Sequence, residues 1–236
     1  MEYLSNIELY ICTHIPEEEK SFSLVDEEYH HAVKVMRNSE GQKIFATDGS
    51  GKIFEGIIKG IQKDILKASI VNVHSFKNIL ENFAFCIPNL KNPERLKFAL
   101  EKLVELGYTD FLVFTSERTI SKNINLNRLE KIALSAMKQS LHSYFPKVNI
   151  VHDLKEIKNY GYKIVLFDQS SKQLLSRENF DNSNKYLFLF GPEGSFSERE
   201  LAIIDPDSIL NLGAFRLRSE TAIIKCASII SEKENA

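Results

Sequence analysis

The chain has 236 residues, of which 43% are hydrophobic and 26% charged. This composition excludes a disordered or fibrous protein, and no apolar run approaches the roughly 20 residues that a membrane-spanning helix needs. The formal net charge of −2 excludes a strongly basic protein, but residues 34–67 contain seven basic side chains against four acidic ones, whereas residues 1–33 contain one basic against eight acidic. Any attraction to a polyanion is therefore expected from the 34–67 segment.

The cysteines and the N-terminal residues indicate the cellular compartment in which the protein is expected. Cys12, Cys86 and Cys226 are widely separated, odd in number and without the spacing of metal ligands. The stretch Met1–Ser5 is acidic rather than basic and lacks the apolar core of a signal peptide. We therefore expect a reduced, cytoplasmic protein without a membrane segment or a structural metal.

Residues 7–75 are predicted to form short strands around one small helix. Apolar residues recur at helical spacing in Asp26–Arg37, and Asp26 can cap its start. The turn Asp48–Gly51 joins two strands into a hairpin. The predicted strands are Ile7–Cys12, Gln42–Thr47, Ile53–Ile61 and Leu66–Val73, and Pro16–Ser21 is predicted to be an acidic loop. Short strands joined by turns predict a compact barrel.

A polar segment, Ser75–Glu81, separates this part from a second one, which gives expected domains at 1–75 and 76–236. From Asn82 onward strands and helices alternate, which is typical of an α/β domain with a parallel sheet. The predicted strands are Phe83–Ile87, Asp110–Thr115, Lys163–Phe167, Tyr186–Phe190 and Ser208–Leu212. The predicted helices run from Pro93, capped by Asn92, to Leu106, and over Leu126–Leu141, Glu198–Ile204 and Ala222–Ile230.

The stretch from residue 186 to residue 222 carries the strongest functional signal. Its first strand is broken by Gly191-Pro192-Glu193-Gly194-Ser195, where the backbone can turn sharply and approach a ligand closely. Ser197 and Glu200 have the spacing of a capping box. A second strand stops at Gly213. Taken singly, such a turn is more often an ordinary strand ending than a binding loop.

In their order and spacing, the two halves of this stretch resemble the C-terminal signatures of the SPOUT superfamily, in its RsmE branch of ribosomal RNA small-subunit methyltransferases. The matching positions are Gly191, Pro192, Glu193, Gly194, Ser197, Glu200, Leu212, Gly213, Leu217, Arg218, Glu220, Thr221 and Ala222. Ser195 departs from the pattern in place of a glycine, Phe215 in place of an arginine, and Arg216 in place of an apolar residue. His142 stands where the family usually has an arginine.

The resemblance continues toward the N-terminus at lower density. His30-His31 and Val35-Met36-Arg37 resemble a signature of the family's PUA-like RNA-binding barrel, although a histidine pair is more often a partly solvated helix face. Lys34 and Arg37 are predicted to lie three apart on one helix and to contact phosphates. Lys91 and Arg118 match further family positions, and we count them among the expected RNA-binding residues.

The resemblance implies a methyltransferase that uses S-adenosyl-L-methionine, bound in a C-terminal trefoil knot, to methylate nitrogen 3 of a uridine in 16S rRNA, within the small ribosomal subunit. The cofactor-binding residues that it implies are Leu166, Phe167, Asp168, Phe190, Gly191, Pro192, Glu193, Gly194, Leu212, Gly213, Leu217, Arg218, Thr221 and Ala222. A polar cluster such as Asp168–Ser171, directly after a predicted parallel strand, is also where open α/β sheets bind ligands.

The methyl acceptor must also be activated, because nitrogen 3 of uracil carries a proton at neutral pH. A cation near the flanking carbonyls would stabilise the anion that forms when this proton leaves. Arg218 is the first candidate for that cation and Arg118 the second, with an ordinary salt bridge as the alternative for Arg218. Glu220 is the nearest candidate base, although its more expected role is to orient Arg218 or to cap the last helix.

Two further expectations concern function class and assembly. The weak basicity and Phe215 leave open an RNA-binding or ribosome-binding SPOUT relative that has lost the methyltransferase activity. A homodimer is predicted through the last helix, because SPOUT relatives pair through such a helix. Its small and apolar residues lie on one face, although packing against the sheet of the same chain would explain the same pattern. These residues are Ala222, Ile223, Cys226, Ala227 and Ile230.

Overall fold

The computed structural model describes residue 4 and residues 6–13, 20–119 and 123–235. The chain divides into two compact units. The first contains the described residues up to Asn78 together with Met137–Phe145, and the second contains Ile79–Ala136 and the residues from Pro146 onward.

The first unit is built on a five-stranded sheet in the order β1-β3-β4-β5-β2. Its strands are β1 (Leu9–Ile11), β2 (Ser21–Val25), β3 (Lys43–Thr47), β4 (Lys52–Gln62) and β5 (Ile65–Ser75). The β1–β3 pair is parallel, and the other neighbours are antiparallel. Just after β1, Thr13 exchanges backbone hydrogen bonds of 3.0 and 3.2 Å with Ser23 of β2. This bridge joins the two edges of the sheet, so the predicted compact barrel and its hairpin are confirmed.

Strand β2 is absent from the sequence prediction, which assigned Ser21 to an acidic loop; residues 14–19 of that loop lie outside the described residues. The strand alternates strictly, with Phe22 and Leu24 fully buried between half-buried neighbours. The alternation that defines a half-buried strand was therefore present in Ser21–Val25, but over only five residues.

The single helix predicted over Asp26–Arg37 is wrong in its details. The structure has a short α-helix, α1 (Asp26–His30), which continues as one π-helical turn over His31–Val35. Val25 rather than Asp26 occupies the N-cap position, without a side-chain cap. Arg37 lies beyond the helical turns with a left-handed φ of 58°. The π turn is closed by the Met36 amide, which donates to the His31 carbonyl at 2.9 Å.

A distant stretch of the chain completes the first unit. Lys138 forms an ion pair with Glu28, with Nζ 2.7 Å from a carboxylate oxygen. The Tyr144 hydroxyl donates to the Phe76 carbonyl at 2.8 Å, and the Gly51 amide donates to the Ser143 carbonyl at 2.9 Å. Residues 137–145 therefore hold the turn between β3 and β4 and the end of β5.

The second unit contains a six-stranded sheet in the order β11-β9-β10-β6-β7-β8. Its strands are β6 (Phe83–Pro88), β7 (Asp110–Phe114), β8 (Lys147–Val151), β9 (Lys163–Phe167), β10 (Tyr186–Phe190) and β11 (Ser208–Leu210). Every pairing is parallel, which confirms the predicted α/β class. The trefoil knot does not follow from this strand order and stays a prediction.

The central strands β6 and β10 are buried along their whole length. Aromatic rings pack across them: the Phe190 ring lies 4.8 Å from Phe167 and 6.0 Å from Phe85, both in stacked orientation. Continuous apolar strands of this kind are expected in a parallel sheet that is covered on both faces.

The helices of the chain from Ile79 onward follow their sequence signals closely. They are α2 (Pro93–Glu105), α3 (Leu126–Gln139), α4 (Glu198–Ile204) and α5 (Ser219–Asn235). The Asn92 side chain caps α2 by accepting from the Glu94 amide at 2.9 Å, and Gly107 follows its end with a φ of 96°. Helix α3 ends before the predicted Leu141, because Leu141 takes a left-handed φ of 60°.

Three predictions in this part of the chain need correction. Strand β8 was not predicted, nor were the 3₁₀ turns Leu154–Tyr160 and Leu175–Arg177. Strand β11 ends at Leu210 rather than at residue 212, because the Asn211 backbone pairs with Gln173 and Leu175 instead of with β9. Helix α5 begins three residues earlier than predicted, at Ser219.

Candidate functional site

A cleft of about 750 Å³ opens at the carboxyl ends of β9, β10 and β11. It is formed by the segments that follow these three strands, which is where parallel sheets bind ligands. Its lining consists of residues 166–169, 190–193, 195–196, 211–212 and 215–219, with Arg95, Leu201 and Ala222. All of these residues belong to the second unit.

The loop after β9 is held in a tight turn at Asp168. One carboxylate oxygen of Asp168 accepts from the Ser170 amide at 2.7 Å and from the Ser170 hydroxyl at 2.6 Å. These two hydrogen bonds hold the pKa of Asp168 below its usual range, because they stabilise the ionised form. The cleft therefore contains a carboxylate that stays charged at neutral pH.

Asn211 connects the loop after β9 with the loop after β11. Its side-chain amide donates to the carbonyls of Gln169 and Ser171, both at 3.0 Å. Its side-chain oxygen accepts from the Gly213 amide at 2.9 Å. The half-buried Asn211 side chain thus fixes the relative position of these two loops, which form two walls of the cleft.

The loop after β10 is held by contacts to the Glu193 carboxylate and to the Gly194 carbonyl. The Glu193 carboxylate accepts from the Lys91 amide at 3.0 Å and lies 3.4 Å from the Arg95 guanidinium. The Gly194 carbonyl accepts from Arg118 Nη1 at 2.9 Å. Ser195, which replaces a family glycine, takes a left-handed φ of 59°.

The capping box predicted for α4 is confirmed. The Ser197 hydroxyl accepts from the Glu200 amide at 3.2 Å, and Glu200 in turn accepts from the Ser197 amide at 2.8 Å. The other carboxylate oxygen of Glu200, which is 2% exposed, accepts from the Glu117 amide at 2.8 Å. A buried carboxylate therefore joins the start of α4 to the segment after β7.

Arg95 connects the two signature segments, and the sequence prediction missed it. Its guanidinium lies 3.4 Å from Glu193 in the first segment and 3.6 Å from Glu220 in the second. The expectation that Glu220 orients Arg218 is not what the structure shows, because the ion pair of Glu220 is with Arg95. The signal for Arg95 was its place on the first turn of a helix whose N-terminus follows a sheet strand.

The structure brings most of the predicted cofactor-binding residues together in the cleft. Its lining includes Leu166, Phe167, Asp168, Phe190, Gly191, Pro192, Glu193, Leu212, Leu217, Arg218 and Ala222. Among the same predictions, Gly194, Gly213 and Thr221 lie beside the lining segments and are not part of the lining. The role of each residue in binding stays a prediction.

The predicted catalytic residues are separated. Arg218 lines the cleft with an exposed side chain, whereas Arg118 and Glu220 do not line it. Of the predicted RNA-binding residues, Lys34 and Arg37 are exposed on the first unit, and Lys91 and Arg118 are exposed on the second.

Several lining residues lay outside the sequence prediction, among them Phe196, Asn211 and Ser219. Phe215 and Arg216 were noticed only as departures from the family pattern. Both line the cleft with exposed side chains, so the differences from the family pattern at these two positions change the lining of the cleft itself.

The described part of the chain contains neither a cluster of metal ligands nor a membrane-spanning helix. No group of three or more histidine, cysteine or acidic side chains there could hold a metal ion, and no helix there is long and apolar enough to cross a membrane. Cys12, Cys86 and Cys226 are buried free thiols, and burial raises the pKa of Cys12 to about 12.

Comparison with known proteins identifies both units. Residues 82–231 match a family model described as RNA methyltransferase domain, and residues 24–71 match one described as RNA methyltransferase PUA domain. Ribosomal RNA small subunit methyltransferase E of Bacillus subtilis is 28% identical over 235 residues, which cover 91% of each chain.

Solved structures agree in fold. A probable rRNA-methyltransferase from Porphyromonas gingivalis is 27% identical, with a TM-score of 0.81 over 97% of this chain and 99% of that one. Ribosomal RNA small subunit methyltransferase E from Neisseria gonorrhoeae, solved with bound S-adenosyl methionine, has a TM-score of 0.82 over 97% and 98%. At 22% identity, this second likeness shows the fold alone.

The class is thus an RNA methyltransferase domain of the parallel α/β type preceded by a PUA barrel. The chain belongs to this RNA methyltransferase family, in its small-subunit methyltransferase E branch within the SPOUT superfamily. The resemblance of the C-terminal signatures is confirmed.

Proposed function

We propose that this protein transfers a methyl group from S-adenosyl-L-methionine to nitrogen 3 of a uridine in 16S rRNA. The observation that carries the proposal is the cleft of about 750 Å³ whose walls are the two family signatures, in a chain that belongs to an RNA methyltransferase family. An rRNA substrate is supported by the names of the relatives, and nitrogen 3 of a uridine is what the resemblance of the C-terminal signatures implies. An rRNA substrate would also make the protein cytoplasmic.

The cleft fits a cofactor of this size and chemistry. Its volume lies within the range of small-molecule sites, and it combines aromatic side chains with bare backbone. A Cβ atom built on Gly191 would contact only the Phe196 ring, at 3.6 Å, so the space in front of this glycine is free of other protein atoms. The charged Asp168 carboxylate suits a ligand that offers hydroxyl donors or positive charge.

S-adenosyl-L-methionine, when bound, supplies an already activated methyl group. The protein then has to position the uridine and to stabilise the charge that develops on it. Arg218 is suited to the second task, because its exposed guanidinium lines the cleft and has no hydrogen-bond or ion-pair partner among residues 20–119 and 123–235. It would hold the uracil carbonyls as the proton leaves nitrogen 3.

Arg118 and Glu220 take supporting roles in this proposal. Arg118 donates to the Gly194 carbonyl at 2.9 Å, which favours holding the loop after β10 over contact with the base. Glu220 is engaged by Arg95 at 3.6 Å, so it helps to fix the start of α5.

The barrel would supply RNA contacts through Lys34 and Arg37, in a PUA domain whose proposed bounds are residues 1–75. Lys91 would add a phosphate contact from the methyltransferase domain, proposed as residues 76–236. The proposed partner is 16S rRNA within the small ribosomal subunit.

A homodimer is part of the proposal, but not through the helix face that suggested it. Ile223, Cys226, Ala227 and Ile230 are fully buried within one chain, where α5 packs on α2, and Ala222 is half-buried. Another surface would have to form the interface. Light scattering at micromolar concentration should give twice the 27.0 kDa chain mass. A monomer mass would overturn the dimer.

The function is tested by comparing 16S rRNA from cells with and without this protein. Mass mapping should find one uridine that loses a methyl group in the absence of the protein, and purified protein with S-adenosyl-L-methionine should restore it on small subunits. Unchanged rRNA, with RNA binding but no saturable cofactor binding, would instead support an RNA-binding protein that has lost the activity. Unchanged rRNA with neither cofactor binding nor RNA binding would reject both.

A further inference from the structure

Phe215 is the most exposed large hydrophobic side chain in the described part of the chain, at 84%. Single exposed apolar residues are common and need no explanation by themselves. This one differs because it lines the cleft, on the segment that follows β11. An aromatic ring left in water beside a binding cleft is a surface that a flat apolar ligand can cover.

The neighbouring arginines are also without protein partners. Arg216 and Arg218 are exposed, and neither side chain has a hydrogen bond or ion pair with any residue that the structure describes. Arg95 and Arg118, in contrast, are held by Glu193 and by the Gly194 carbonyl. The segment therefore carries one exposed ring, at Phe215, followed in sequence by two unengaged guanidinium groups.

We propose that Phe215 is a stacking platform for a nucleobase of the RNA substrate at the mouth of the cleft, with Arg216 on the adjoining phosphate. This inference rests on the proposed function and adds a specificity-determining residue to it. Enzymes that modify a base take it out of the stack and hold it against aromatic or apolar side chains. A ring offers its face to the base, and a guanidinium pairs with the phosphate that follows.

The chain contains no tryptophan, so a substituted indole reports on one position alone. Phe215→Trp should give fluorescence that is quenched in a saturable manner by a short oligouridylate, because a stacked base quenches an indole. Phe98→Trp is the matched control, since Phe98 is also exposed, at 47%, and lies on α2 outside the cleft lining. Its emission should not respond. Equal responses, or none at Phe215→Trp, would overturn the proposal.

Kinetics give a second and independent measurement. Phe215→Ala should raise KM for the RNA by about 5- to 150-fold, the range for removing one base–aromatic stack. Its affinity for S-adenosyl-L-methionine should stay unchanged. Phe215→Tyr should retain most of the RNA affinity and Phe215→Leu should not, while Phe98→Ala should behave as the unmodified protein. Equal RNA affinity in the alanine and tyrosine variants would contradict stacking.

The two experiments separate this inference from the function on which it rests. If the unmodified protein methylates no rRNA but oligouridylate still quenches Phe215→Trp selectively, the stacking stands and the activity fails. If the Phe215→Trp emission shifts with protein concentration in the absence of RNA, a second copy of the chain covers the ring and the proposal is wrong.

Discussion

Arg218 differs from Arg95 and Arg118, because Arg218 lines the cavity and its guanidinium has no partner in the described ranges up to residue 235. We expect the affinity of Arg218→Ala for S-adenosyl-L-methionine to stay within a few-fold of that of the unmodified protein. The reason is that the negative charge that Arg218 stabilises develops on the uracil and not on the cofactor. Turnover on small subunits should fall by on the order of a hundredfold or more. Calorimetry and single-turnover methylation measure the two quantities.

Arg118→Ala is the comparison for that experiment. It removes the hydrogen bond to the Gly194 carbonyl and so loosens a loop that also contributes to the cleft. Cofactor affinity should therefore fall together with turnover. If Arg218→Ala binds no cofactor, Arg218 belongs to the cofactor site, and if it turns over normally, another group stabilises the uracil.

Gly191 allows a cleaner test of the cofactor site than Gly213 does. A methyl group at Gly191 meets only the Phe196 ring at ordinary contact distance, and Gly191 does not have a positive φ. Gly191→Ala should leave the thermal unfolding temperature nearly unchanged. Cofactor affinity should fall by about 5- to 150-fold, the equivalent of overpacking by 1–3 kcal/mol. Unchanged affinity would place the cofactor away from this wall.

Gly213 has a φ of 136°, which strains any side chain. A Cβ atom there would also lie 3.1 Å from Lys225 Nζ. Gly213→Val should therefore lose both cofactor binding and stability, so binding loss in this variant does not by itself locate the cofactor. Circular dichroism melting of the two glycine variants side by side distinguishes local strain from a filled cleft.

At the level of elements, Tyr108 ties the end of α2 to the middle of α5. The side chain is 1% exposed, and its hydroxyl donates to the Ala227 carbonyl at 2.8 Å. Burial raises the pKa of Tyr108 well above its ordinary value, so the donor stays protonated over the whole working range of pH.

Tyr108→Phe should lower the free energy of unfolding by about 1 to 3 kcal/mol, because a buried carbonyl loses its side-chain donor. The exposed Tyr160, changed to phenylalanine, is the matched control and should be neutral. Urea unfolding of both variants measures the difference. A neutral Tyr108→Phe would mean that the α5 backbone satisfies the carbonyl without the hydroxyl.

Elements with strong local signals could be predicted from the sequence. The buried run Tyr186–Phe190 and the capping box at Ser197 are encoded in a few neighbouring residues, and both were predicted correctly. Strand β2 and the π turn His31–Val35 were missed, because a five-residue alternation and a one-residue widening of a helix leave little trace in sequence. Their stability comes from the barrel around them.

The site shows the same division. The glycines and the residues after each strand could be placed in advance, since the carboxyl edge of a parallel sheet collects them. Asn211 and Arg95 could not, because their importance lies in contacts with residues 40 and about 100 positions away, in Ser171 and Glu193. The prediction that Glu220 orients Arg218 was wrong for the same reason, because the partner of Glu220 is the distant Arg95.

On the scale of the whole molecule, the charge is nearly balanced, so RNA binding should depend on local clusters. Lys34→Glu with Arg37→Glu should weaken RNA affinity and make its salt dependence shallower by about one unit of slope for each lost phosphate contact. Cofactor affinity should not change. Filter binding over a range of salt concentrations measures both effects.

Lys155→Glu with Lys185→Glu makes the same change of charge at two exposed positions of the second unit outside the cleft lining. This pair should have a small effect. Equal losses in the two double variants would mean that total charge, not the barrel surface, controls binding, and no loss at Lys34 and Arg37 would move the RNA surface to the methyltransferase domain.

Because Met137–Phe145 belongs with the barrel, the first unit is not complete when Asn78 has been synthesised. The hydroxyl of Tyr144 and the ammonium of Lys138 reach the barrel only after the ribosome has added the intervening chain. At roughly 5–20 residues per second, this takes about 3 to 13 s, during which the barrel lacks those contacts. Its folding during translation should therefore finish late, after strands β6 and β7 of the following domain have already been made.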